Sequence, residues 1–171
     1  MSEINYKLEI EIRGSTLKVA ITIERLLMMI VYTSNAEQYT IKNSEYLRLK
    51  NLTFGGKLNR VKKVLDKFHP DLLASNIVLF EKLDRFKTFR DKMAHCAFEW
   101  NYSQTGFNIL DNVEDENGFQ YYESFPCKVI DTKKATLEGT LLVKPLLEIA
   151  NEVELRLKNQ HPLIAGMLKL E

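Results

Sequence analysis

The segment Phe89–Cys96, FRDKMAHC, sets an arginine, a carboxylate and one of the chain's three histidines within a few residues of each other. If it is helical, Asp91 and His95 stand one turn apart on the same face. A carboxylate so placed orients an imidazole and favours its protonated form, the arrangement that acid–base chemistry uses. Arg90 and His95 are five residues apart, about 140° around an ideal helix, so one copy cannot stack them on one face. Ala94 adds almost no bulk beside Arg90 and permits another helix to approach. Two copies of this helix meeting at a two-fold axis would use all of these features, each bringing its Arg and His to the rim of a shared cleft. The plainer reading is a surface ion network at a helix C-terminus, where the dipole favours basic charge.

The elements that must hold this segment are mostly helical in pattern. STLKVAITIERLLMMIVYTSN carries two apolar stripes, one through Leu17, Ala20, Ile21, Leu27, Met28 and Val31 and one through Val19, Ile23, Leu26 and Ile30. Such a helix is buried between neighbours or against a partner subunit. Glu24 falls within the first stripe and therefore needs a partner or an edge. The preceding YKLEIEIR alternates like a strand yet can extend the helix. After Gly55-Gly56, Leu58, Val61, Leu65 and Phe68 recur at helical spacing, with Lys57, Arg60, Lys62, Lys63 and Lys67 over much of the remaining surface. HPD breaks this helix, and Asp71 is placed to cap the next. That next helix runs from Leu72 through the motif and ends near Trp100. FEWNYS, FNILDNV and FQYYESFPCKVI are aromatic and β-branched, with TG and DENG between them, and predict a hairpin or meander over about 98–130. A last long helix starts at Asp131 or Thr132 and is kinked by Pro145. The expected fold is mainly α: a bundle of four or five helices with a small antiparallel β insertion before the last long helix, forming a single domain over 1–171.

Composition sets the outer limits. The chain has 171 residues, enough for one full-sized core, and a net charge of +1. Its charge is uneven. Between Lys42 and Lys92 bases outnumber acids, whereas from Phe98 to Asp131 seven acids face Lys128 alone. This fits a basic binding face beside an acidic flap, or two solvated faces. The longest apolar run, LLMMIVY, is far short of the roughly 20 residues of a spanning helix, so no membrane is expected. Two cysteines and a mixed-charge N-terminus predict a cytoplasmic protein with reduced thiols.

Arg-x-x-x-x-His, with a polar residue after the Arg and Ala before the His, resembles the signature of the HEPN superfamily (higher eukaryotes and prokaryotes nucleotide-binding domains). LTFGGKLNRVKK, one helix upstream, is similar to the glycine-bearing helix start of one branch, and the helix order is similar over nearly the whole chain. The resemblance implies a small helical bundle that acts as a metal-independent endoribonuclease in prokaryotic toxin or antiviral defence systems, with a composite site at a homodimer interface. On it, Arg90 grips the scissile phosphate and stabilises its growing charge. His95 acts as general base or acid for attack by the 2′-hydroxyl, leaving a 2′,3′-cyclic phosphate and a 5′-hydroxyl. Asp91 fills the variable polar position and tunes His95. No cofactor is implied, and His69 and His161 each precede Pro and read as loop punctuation rather than metal ligands. The partners implied are RNA, a second copy, and an antitoxin or other regulatory protein. A toxin branch has a modifiable tyrosine two residues past the His; here Ala97 stands there, and Tyr102 is too far along to replace it.

Around this centre, Lys57, Arg60 and Lys63, with Lys92 beside the motif, are the candidates to track an RNA backbone. Cys96 is either a nucleophile or a small buried residue. Trp100, Tyr102, Phe107, Tyr121 and Tyr122 either stack bases or pack the hairpin. The alternative function is a non-catalytic HEPN-like module that binds a nucleotide or a partner protein.

Overall fold

The computed structural model describes residues 3–34, 48–101 and 105–160. The chain is mainly α, with a three-stranded antiparallel sheet before the last long helix. In order the elements are α1 (Glu3–Ser34), α2 (Phe54–Phe68), α3 (Pro70–Ser75), α4 (Ile77–His95), β1 (Ala97–Trp100), β2 (Gly106–Glu114), β3 (Gln120–Lys128), α5 (Val129–Leu141) and α6 (Val143–Gln160). Among the described residues the helices number six rather than the four or five expected, because two of the expected helices are broken.

The first break is at Asn76, between α3 and α4. Asp71 is not the cap of α3; His69 holds that position, Pro70 opens the helix and Asp71 lies in its first turn. The second break is at Leu142. Pro145 cannot donate a backbone hydrogen bond and crowds the carbonyl four residues back, so it is tolerated in the first turn of α6 and not inside one continuous helix. In YKLEIEIR the helical period prevails over the alternation: α1 runs unbroken from Glu3, burying Ile12 and leaving Ile10 exposed. The motif helix stops at His95, and Ala97–Trp100 pairs as β1 instead of extending it.

The backbone divides into two compact units, Met1–Ala20 with Arg85–Thr140, and Ile21–Asp84 with Leu141–Glu171. In the first, Ile12, Met93, Cys96, Phe98, Phe107 and Ile109 form a buried cluster joining α1, the end of α4 and the sheet. Phe98 and Phe107 stack at 4.3 Å between ring centroids, and Trp100 leans on Phe107 at 4.9 Å. Two of the five candidate base-stacking aromatics, Trp100 and Phe107, are thus packing residues. Thr16 and Thr136 exchange a hydroxyl hydrogen bond of 2.9 Å between α1 and α5.

The sheet is a meander in the order β1-β2-β3, with Phe98 opposite Ile109 and Asn108 opposite Pro126. Pro126 sits on an edge strand, where its missing N–H costs no ladder bond. Asp115 closes the β2–β3 turn, its Oδ1 accepting from the backbone N–H of Asn117 and Phe119 at 2.8 and 2.9 Å. Gly118 takes the left-handed conformation (φ 83°) that this turn needs.

In the second unit, α2 begins at Thr53, whose hydroxyl accepts from the Gly56 N–H at 3.1 Å. It buries Phe54, Leu58, Val61, Val64 and Leu65, while α6 buries Leu146, Ile149, Ala150, Val153 and Leu157. Arg156 of α6 holds Asp71 of α3 through two parallel hydrogen bonds of 2.9 and 2.7 Å. Among the described residues no helix is long and apolar enough to cross a membrane.

Candidate functional site

Arg90, Asp91, Lys92 and His95 occupy the last turns of α4. Arg90 is half-buried and donates from Nη1 to Asp91 Oδ1 at 3.0 Å. Lys87 reaches the other oxygen of Asp91, also at 3.0 Å. Asp91 is therefore held between two cations and does not orient His95, although the two stand one turn apart. His95 is exposed, and its side chain makes no hydrogen bond or ion pair with another described residue. The expected Asp91–His95 couple is replaced by a Lys87–Asp91–Arg90 chain along the helix surface, because two oppositely charged neighbours attract the carboxylate more strongly than an exposed imidazole does.

A residue that sequence reasoning passed over positions this end of the helix. Arg13, on α1, donates from Nη1 to the Met93 carbonyl at 2.5 Å and from Nη2 to the Cys96 carbonyl at 2.7 Å. Its Nε donates to Glu9 at 2.8 Å, and its guanidinium lies 4.0 Å from the centroid of the Phe98 ring. Terminal carbonyls of α4 have no partner within their own helix, so a cation there both satisfies them and offsets the dipole. Arg13 thus fixes the turn carrying His95 and the entry into β1. The nearest signal in the sequence is the Glu9–Arg13 spacing; its main partners lie 80 and 83 residues away.

The remaining candidates separate cleanly. Lys92 stands over the Phe125 ring at 3.6 Å, a cation–π contact that ties α4 to β3. Lys57 is buried and paired with Glu24, so it leaves the RNA-tracking set; it is the partner that Glu24 required. Arg60 is half-buried and Lys63 is exposed, both on α2 in the second unit. Cys96 is buried, and burial followed by the neighbouring Asp111 carboxylate raises its thiol pKa, which keeps it protonated and inert as a nucleophile. Ala97 is the first residue of β1, so the position two past the motif histidine is on a strand. His69 is buried in the turn between α2 and α3, its pKa lowered by burial and by the charge of Arg156. Among the described residues no group of three or more His, Cys, Asp or Glu could hold a metal ion. Tyr102 and His161 lie outside the described residues.

Comparison with known protein families, curated proteins and solved structures found no match.

Proposed function

We propose that the chain is a metal-independent endoribonuclease of HEPN type, acting in a prokaryotic toxin or antiviral defence system through a site composed at a homodimer interface. The observation that carries the reading is the pairing, on the last turns of one helix, of a half-buried arginine and an exposed histidine whose turn is fixed from outside by Arg13. A catalytic arginine works best partly desolvated and held in place, since its hydrogen bonds to a phosphate then strengthen without reorganisation. A proton-transfer histidine has to be reachable by the 2′-hydroxyl, and His95 is. Because the two project about 140° apart, one scissile phosphate takes its Arg90 from one copy and its His95 from the other.

In that site Arg90 binds the non-bridging phosphate oxygens. His95 removes the 2′-hydroxyl proton, the 2′-oxygen attacks phosphorus as the bond from phosphorus to the 5′-oxygen breaks, and the departing 5′-oxygen takes up a proton from solvent. The products are a 2′,3′-cyclic phosphate and a 5′-hydroxyl. Asp91, held by Lys87 and Arg90, sets the position of the guanidinium instead of tuning the imidazole.

The same Asp91 contact favours a second reading, a module that binds a nucleotide or partner without turnover, because a carboxylate on Arg90 offsets part of the charge that a phosphate would feel. Incubating mixed-sequence RNA with the protein in excess EDTA separates the two. Cleavage leaving cyclic-phosphate ends, slowed about 100-fold or more by Arg90→Ala or His95→Ala, supports the nuclease. RNA or nucleotide retained intact, with affinity lost in Arg90→Ala, supports the binding module.

A further inference from the structure

β3 is an edge strand: β2 pairs with one side of it, and no described strand pairs with the other. The hydrogen bonds at the two ends of the ladder fix which residues face the open side. The Val129 N–H donates to the Thr105 carbonyl at 3.0 Å, and the Asp115 N–H donates to the Phe119 carbonyl, also at 3.0 Å. The N–H and C=O of one strand residue point to the same side, and that side alternates along the strand. The odd-numbered residues of β3 therefore bond to β2, while Gln120, Tyr122, Ser124 and Pro126 aim their backbone groups outward. All four are exposed.

Folded proteins shield such an edge with charged side chains, especially Lys, with Pro or with a bulge. From Phe119 to Phe125 there is no Lys, Arg or Pro, and the register with β2 is unbroken. The segment instead carries Phe119 (72% exposed), Tyr121 (50%) and Tyr122 (69%), the two tyrosines on opposite faces of the ribbon. From Gly106 to Cys127 the strands and turn hold Asp111, Glu114, Asp115, Glu116 and Glu123 and no Lys or Arg. These acids repel a phosphate backbone, so Tyr121 and Tyr122 are poorly placed to stack RNA bases.

We propose that the free edge of β3 pairs antiparallel with β3 of a second copy about a two-fold axis at Tyr122, joining the two three-stranded sheets into one. Pro126 selects this register. It has no N–H to give on the open side and is not tolerated inside a sheet, so pairing must stop short of it. The axis at Tyr122 gives the longest pairing that does so. Tyr122 then faces Tyr122, Gln120 of each copy faces Ser124 of the other, and about six backbone hydrogen bonds form. Pro126 falls level with Gly118 in the turn of the second copy, outside the paired residues. The side chains agree on both faces. Tyr122 meets Tyr122 on one; on the other Tyr121 lies opposite Glu123, and Phe119 opposite the Phe125 that Lys92 already holds. The charges agree as well. Acids Glu114, Asp115 and Glu116 sit at the tip of the arm and exposed Lys128 at its root. Antiparallel pairing brings each tip to the root of the other arm, with Glu116 level with Lys128, whereas parallel pairing would set tip acids against tip acids. The contact does not rest on RNA cleavage and goes beyond the function proposed above.

The test is covalent capture of the full chain in a Cys127→Ser background, which leaves only the buried Cys96. Residues directly opposite in such a pair have Cα atoms about 5.5 Å apart, within the span of a disulfide. Tyr122→Cys should therefore cross-link into a dimer on mild oxidation. Ser124→Cys should not, because its two copies would stand four residues out of register, roughly 14 Å apart. Adding Ser124→Pro removes an outward N–H and no bond to β2, and should cut the Tyr122→Cys cross-link at least about tenfold with Trp100 fluorescence unaltered. A second measurement needs no proline. In sedimentation equilibrium Lys128→Glu should weaken the dimer about threefold or more, and Lys128→Glu with Glu116→Lys should regain it. A monomeric wild type, equal cross-linking of the two cysteines, or indifference to the proline or to the charge exchange overturns the proposal.

Discussion

Replacing Arg13 with methionine retains most of its stem while deleting the guanidinium. Two hydrogen bonds to the carbonyls of Met93 and Cys96 disappear, together with the ion pair to Glu9 and the stacking over Phe98. Hydrogen bonds from charged donors contribute about 1.5–3 kcal/mol each when they are buried. The Arg13 side chain is 23% exposed, so water replaces part of what is lost, and we expect a net cost of about 2–4 kcal/mol. That is a large share of a typical domain's stability of roughly 5–15 kcal/mol. Trp100 is the chain's single tryptophan and packs in the same unit, so its fluorescence reports the relevant transition in urea. With an m value of about 1–3 kcal/mol/M, the midpoint should fall by roughly 1–2 M. Glu9→Gln, which removes only the ion pair, should cost less than about 1 kcal/mol. If Arg13→Met costs less than about 0.5 kcal/mol, the ordinary range for surface changes, Arg13 does not hold the end of α4 and the positioning argument fails.

Gly139→Ala sets two effects against each other. Alanine gains about 1 kcal/mol of helix propensity, but its Cβ would lie 2.2 Å from the Phe86 ring, which is only 5% exposed and cannot step aside. Overpacking costs about 1–3 kcal/mol, so a net loss of about 1 kcal/mol is expected in the Trp100 transition, and a stabilised variant would contradict the close α4–α5 packing. Lys57→Met should cost about 3 kcal/mol in chemical denaturation by removing the buried cation that faces Glu24, and Lys57→Met with Glu24→Leu should recover most of it; a double variant no better than the single would mean the pair is not what Lys57 contributes. His69 has a folded pKa below 6.5, so the unfolded chain takes up its proton first. Its contribution to stability is complete above 6.5 and is lost as pH falls toward the lowered folded value. Urea midpoints between about pH 8 and pH 5 should therefore fall less steeply in His69→Gln than in wild type, and equal slopes would refute this.

How much of this was legible in the sequence depended on whether the signal was local. The DENG turn, the three β segments and the apolar stripe of α2 follow from neighbours in the chain and were readable. Leu8, Ile10 and Ile12 alternate too briefly to separate strand from helix, and burial of Ile12 with exposure of Ile10 answers the question only in three dimensions. Lys57 carried an unused local signal: it lies in the stripe with Phe54, Leu58 and Val61, just as Glu24 lies in the stripe of α1, and two opposite charges inside apolar stripes seek each other. Pro145 announced a disturbance, but its extent, a full break at Leu142, depended on where α6 begins. At the site, spacing placed Asp91 beneath His95 correctly; what spacing could not rank was the competing pull of Lys87 and Arg90. Arg13 was not legible, since no local pattern links it to carbonyls 80 residues away.

The central claim is that Arg90 and His95 act together across two copies of the chain. Mixing Arg90→Ala with His95→Ala protein and allowing subunits to exchange tests it most directly, with cleavage of labelled RNA as the readout. Each variant alone should be nearly silent. Half of the exchanged dimers would then be mixed, each with one intact site, so the mixture should recover about a quarter of wild-type activity. A mixture no faster than either variant alone, or single variants as fast as wild type, would contradict the composite site.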